Sequence, residues 1–119
     1  IDLAGLLGHE FVHLQQFRRR NFNWCRPYKS SHPVSLTKEA QEYYGDTDEI
    51  DAYAHDIAME IREYYPNTNP MDVLRTINKR RKLWSWNYYR KAFKESEDWS
   101  DVRNRLLKKT YLWLPHTTV

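Results

Sequence analysis

The run Gly8-His9-Glu10-Phe11-Val12-His13-Leu14-Gln15-Gln16 constrains this chain more than any other segment. His9 and His13 stand four positions apart in a stretch with helical periodicity, so a helix returns both imidazoles to one face, one turn apart. Two neutral imidazoles so placed can hold one Zn²⁺, with Glu10 beside them to handle a proton. The plainer alternative is a surface helix that carries two histidines and a glutamate. Helical phase argues against it, because Leu3, Leu6, Leu7, Leu14 and Phe17 form an apolar stripe within which Glu10 falls, flanked by His9 and His13. A carboxylate on a core-facing stripe is costly unless something compensates it, and a bound cation would. Gly8 lets another backbone approach the helix just before the first histidine.

A catalytic zinc usually takes three protein ligands and one water, so a third donor has to come from another segment. The remaining histidines are His32, His55 and His116, and acidic residues cluster between Asp46 and Asp56. That cluster opens a second helix, expected over 48–65, with Ile50, Ala54, Ile57 and Ile61 as its apolar stripe. Glu49, Tyr53, Asp56 and Glu60 lie along one edge of the stripe, and packing through Ile50 and Ile57 would aim this edge at the histidines. Asp46 and Glu49 also fit a capping box, and an acidic first turn suits the helix dipole with no metal at all. Asp56 and His55 stay open as alternative donors, although the helical wheel turns His55 away from the Glu49 edge and toward solvent.

Together, His9-Glu10-Phe11-Val12-His13 and Glu49-Ile50-Asp51-Ala52-Tyr53-Ala54 resemble the gluzincin zinc metallopeptidases. The resemblance implies His9, His13 and Glu49 as zinc ligands and Glu10 as general base. Tyr53 departs from the pattern, since many gluzincins carry an Asp there to orient a ligand. The matched segments cover a small part of the chain. Only eight residues precede His9, too few for the β-sheet that gluzincins place ahead of the motif. The chain also opens on Ile1 rather than Met, which leaves room for an N-terminal part upstream. More loosely, the same two stretches are similar to small zincin-like proteins of tailed bacteriophages.

At 119 residues the chain supports one domain with a modest core, in which five Trp, nine Tyr and four Phe supply bulk. The net charge of +3 permits an acidic partner without demanding one. Cys25 is the sole cysteine, which excludes an internal disulfide and suits a reducing, cytoplasmic setting. No apolar run approaches the roughly 20 residues that span a bilayer, so no membrane partner is expected.

The expected architecture is mainly α, a bundle of about four helices with little or no β-sheet, in a single domain over 1–119. The first helix runs from about Asp2 to Arg20. Residues 21–36 are irregular, with a short strand possible around Phe22, Trp24 and Tyr28. A short helix over 37–44 closes at Gly45. Asn69 caps a third helix with Pro70 at its first position, and Val73, Leu74, Ile77, Trp84 and Tyr88 trace its inner face as far as Lys94. A fourth helix opens near Ser96 or Ser100, turns Trp99, Val102, Leu106, Trp113 and Leu114 inward, and ends at Pro115.

The function expected is a zinc-dependent hydrolase, most readily a metallopeptidase acting on a peptide or protein substrate. Tyr43, Tyr44 and Tyr53 are candidates to stabilise an oxyanion, and Asp56 is a candidate to support a ligand from behind. Two alternatives stand beside this reading. One is a non-enzymatic assembly protein, virion-associated, that keeps the zincin helix pair as a scaffold. The other is a DNA-associated zincin that uses the basic, aromatic stretch beginning at Lys79, Arg80, Arg81 and Lys82. Against this last reading, helical spacing makes Trp84 and Tyr88 core residues and the cations a solvated face.

Overall fold

The segment Thr47–Tyr64 carries Ile50, Ala52, Ala54, Ile57, Ala58 and Ile61 around most of its circumference, and a helix apolar on so many sides has to be buried. The computed structural model describes residues 3–19, 28 and 36–117. Among them run six α-helices and no strand: α1 (Leu3–Arg19), α2 (Leu36–Gly45), α3 (Thr47–Tyr64), α4 (Pro70–Arg75), α5 (Trp84–Ala92) and α6 (Trp99–Trp113). Short 3₁₀ turns follow at Ile77–Lys79 and Leu114–His116. The central helix α3 packs against α6 and α1 most extensively, and also against α5, α2 and α4. Its Ile57 and Ile61 meet Leu83, Trp86, Tyr89 and Phe93 from around α5 and Val102 and Leu106 from α6 in one apolar core. The mainly α expectation therefore holds. The short strand considered for 21–36, with Phe22 and Trp24, lies outside the described residues, as do Cys25 and His32.

Two expectations about phase do not hold. On α1 the buried face is His9, Val12 and Gln16, whereas Leu14 is 51 % exposed and Phe11 58 %. Of the described members of the apolar stripe expected to face the core, Leu14 looks outward and Phe17 is half-buried, while the polar groups of His9 and Gln16 find partners on α3. Glu10 is exposed accordingly.

The third expected helix is two helices. Asn69 caps α4, its Oδ1 accepting from Met71 N at 2.9 Å, with Pro70 in the first turn. The helix stops at Thr76, whose hydroxyl donates to Asp72 O at 2.7 Å. Asn78 then stabilises the break, accepting from Trp86 Nε1 at its side chain and from Arg90 at its carbonyl. The interruption resets the helical phase. Leu83, Trp86, Tyr89 and Phe93 become core residues, while Trp84 and Tyr88 turn outward, 50 % and 43 % exposed.

Two glycines set the approach of neighbouring elements. A Cβ on Gly8 would lie 2.7 Å from His55 Cε1, so Gly8 is what lets α1 settle against α3. A Cβ on Gly45 would run into the Tyr28 ring. Tyr28 in turn donates its backbone N–H to Asp46 Oδ1 at 2.6 Å and its hydroxyl to Asp98. Asp46 thus makes no side-chain cap for α3, and Glu49 is free of the capping box that the sequence allowed.

Candidate metal centre

Four-residue spacing on α1 sets the His9 and His13 rings side by side, with Nε2 atoms 3.1 Å apart. The first turn of α3 lays Glu49 across both: Oε1 is 2.7 Å from His13 Nε2, and Oε2 is 3.5 Å from His9 Nε2. Two donors on one tetrahedral zinc, each about 2.1 Å from it, stand about 3.4 Å apart. The observed spacings bracket that value, and these three side chains form a cluster able to hold a metal ion. Glu49 Oε2 is also a buried oxygen with no hydrogen-bond partner among the described residues. An orphaned carboxylate oxygen 3.5 Å from the His9 imidazole, on a carboxylate whose other oxygen meets His13, fits a shared cation.

Support from behind the rings fixes their orientation. His9 Nδ1 donates to Asp56 Oδ2 at 2.7 Å, which leaves its Nε2 lone pair pointing into the cluster. Asp56 thus stands behind a histidine and is not itself one of the three donors. The position four residues after Glu49 is Tyr53, which packs edge-on against His9 with ring centroids 4.5 Å apart. Behind His13, Gln16 Oε1 lies 2.9 Å from Nδ1.

The same groups shift one another's protonation. Burial acts to lower the His9 pKa, but the Asp56 hydrogen bond and the neighbouring Glu49 carboxylate outweigh it and raise the ring to about 9. The Glu49 hydrogen bond, opposed by burial, also raises His13. Burial acts to raise the Glu49 carboxyl, and the two histidines hold it down at about 2. The carboxylate is therefore ionised over the whole working range, as a metal ligand must be.

Glu10 lines an open pocket of about 480 Å³ together with His13, Leu14, Phe17 and Glu49, so it faces the same space as two of the three donors. The three candidate tyrosines separate. Tyr44 packs between Tyr53 and Tyr89. Tyr53 walls His9. Tyr43 is 48 % exposed, with its hydroxyl 3.4 Å from that of Tyr53. Burial and the nearby Glu49 charge push the Tyr43 phenol up to about 12, so it keeps its proton and can donate.

Other expectations part from this centre. His55 does not point into solvent: its side chain is 13 % exposed and stacks edge-on against Trp113 at 4.9 Å. His116 sits exposed in the last 3₁₀ turn. Lys79, Arg80, Arg81 and Lys82 lie between α4 and α5 and take no part in the cluster. Gln16 is the residue that sequence reading missed. Its position three after His13 puts it on the histidine face, and that spacing was the available signal. No family model, curated protein or solved structure matches the chain.

Proposed function

We propose that this chain is a zinc-dependent hydrolase, with a peptide bond as the substrate class. The observation that carries the reading is the convergence of His9 Nε2, His13 Nε2 and the Glu49 carboxylate from two helices at metal-ligand spacing. Bound there, Zn²⁺ supplies Lewis acidity to a carbonyl and to water. Glu10 takes a proton from the attacking water and returns it to the leaving amine, a role suited to an exposed carboxylate on the pocket wall. Tyr43 donates its phenolic hydrogen toward charge developing on the carbonyl oxygen. Asp56 holds His9 in register throughout. The pocket wall of Leu14 and Phe17 offers apolar contact for a substrate side chain. Among the described residues no helix is long and apolar enough to cross a membrane.

Elemental analysis of the purified protein, beside His13→Ala and Glu49→Ala, tests the site. One zinc per chain in the wild type and its loss in both variants supports the reading, and metal-free wild type after incubation with excess zinc overturns it. A peptide library then tests the reaction. Stoichiometric zinc without hydrolysis would favour the non-enzymatic assembly protein instead.

One observation favours a nucleic-acid contact as a second property. Trp84 and Tyr88 share an outward face of α5 one turn apart, with Arg81, Lys82 and Lys91 exposed around them. Aromatics that can stack on bases, set among cations, suit single-stranded nucleic acid. A mobility-shift assay tests it: binding that weakens with salt and with Lys82→Ala/Lys91→Ala is expected, and no shift at low salt removes the reading.

A further inference from the structure

Gln16 is 5 % exposed, and every polar atom of its amide is engaged. Nε2 donates to Asp48 O at 2.9 Å and to Asp51 Oδ2 at 3.0 Å. Both partners can only accept, so they consume both amide hydrogens. Oε1 therefore faces His13 Nδ1 at 2.9 Å, and His13 Nδ1 has to be the donor. Reversing the amide would set its oxygen against two other oxygens and its N–H₂ against an N–H. Asp51 is itself held, its Oδ1 accepting from Trp113 Nε1 at 2.9 Å. The relay thus runs from α6 through α3 to α1.

We infer that Gln16 is a positioning residue: anchored by Asp51 and Trp113, it holds His13 as the Nδ1–H tautomer and presents the Nε2 lone pair to the metal position. The inference rests on the zinc reading above. Its chemistry differs from that behind His9, where a carboxylate does the same task. An amide fixes the ring without adding negative charge beside it, so His9 and His13 are unequal donors. The relay also explains why a half-buried aspartate and an indole far apart in sequence are paired next to α1: they fix which way round the Gln16 amide sits.

The test compares Zn²⁺ affinity, by competition with a chromophoric chelator, in wild type, Gln16→Leu, Gln16→Glu and the double variant Gln16→Glu/Asp51→Asn. Gln16→Leu should bind zinc about 10–100-fold more weakly. Gln16→Glu should weaken binding too, since its second oxygen faces the acceptors that Nε2 now serves. In the double variant the amide introduced by Asp51→Asn can donate to that oxygen while accepting from Trp113, so affinity should recover relative to Gln16→Glu alone. A role confined to packing would give no such recovery. Long-range ¹H–¹⁵N spectra of the zinc-loaded protein should show the His13 proton on Nδ1 in the wild type, and a shifted Nδ1 resonance in Gln16→Leu. If Gln16→Leu and Gln16→Glu both keep zinc within twofold of wild type while His13→Ala loses it, the inference fails and the zinc reading stands. If wild type holds no zinc, both fail. Should Gln16→Leu not fold, Gln16→Glu and the double variant decide between these outcomes.

Discussion

Asp56 Oδ2 sits 2.7 Å from His9 Nδ1, and Asp56 stands seven residues after Glu49, two turns further along the same face of α3. One helix face therefore supplies both the carboxylate that lies across the two imidazoles and the carboxylate that orients one of those rings. Removing the second should leave the first in place. Asp56→Ala is expected to lower zinc affinity about 10–100-fold without abolishing binding, whereas Glu49→Ala abolishes it. Chelator competition on the two variants checks the difference, and equal losses would mean that the two carboxylates do not have separate roles.

Glu10 is exposed on the pocket wall and belongs to neither the donor set nor its support. Glu10→Gln keeps its shape and removes the basic oxygen. Zinc content should match the wild type, while peptide turnover falls about 10²–10⁴-fold with the loss of general base catalysis. Metal analysis and kcat on the same preparation test both halves. Wild-type turnover in this variant would remove Glu10 from the mechanism.

Gly8 couples the fold to the site. A methyl group there would meet His55 Cε1 at 2.7 Å, with Met59 Sδ at 3.5 Å, and His55 is itself pinned by Trp113. The ring has little room to yield, so α1 must shift from α3 one residue before the first histidine. Gly8→Ala is expected to cost about 1–3 kcal/mol of stability through overpacking, and to weaken zinc binding with it. Chemical denaturation and chelator competition on the same variant check the pair. A stabilised protein would show instead that the helix gain from alanine prevails.

The pairing of His9 with His13 was legible in the sequence because helix spacing alone decides which residues share a face, whereas Glu49 was one of several donors left open on the edge of α3. The direction of that face was not. The apolar residues of α1 suggested a stripe through Leu14 and Phe17, yet among the described residues the buried side carries His9, Val12 and Gln16, two of them hydrogen-bonded to α3. Asp56 could be placed on the right edge of α3, but its role waited on the position of α1. The outward turn of Trp84 and Tyr88 depends on the break at Thr76, which side-chain bonding from Thr76 and Asn78 stabilises and which a run of apolar periodicity hides. Asp51 and Trp113 pair across 62 positions, and no local pattern announces such a contact.

Glu60 gives the fold a pH dependence of its own. The side chain is buried on α3, where it accepts from Ser85 N at 3.1 Å and from Ser85 Oγ at 2.6 Å. Burial pushes its carboxyl up from 4.5 to about 7, only partly offset by those hydrogen bonds. The native state thus holds this proton more tightly than the unfolded chain does, and unfolding releases it. Stability contributed by the protonated form is fully present below 4.5 and is lost as pH rises through about 7. The difference at high pH corresponds to about 3 kcal/mol. Glu60→Gln keeps an acceptor for the Ser85 hydroxyl or N–H and adds a donor, without the charge. It should therefore stabilise the protein by up to about 3 kcal/mol at about pH 8.5 and by little at about pH 4.5. Denaturation midpoints across that range check it. A gain that is equal at both ends, or absent at the alkaline end, would mean that Glu60 does not hold the proton.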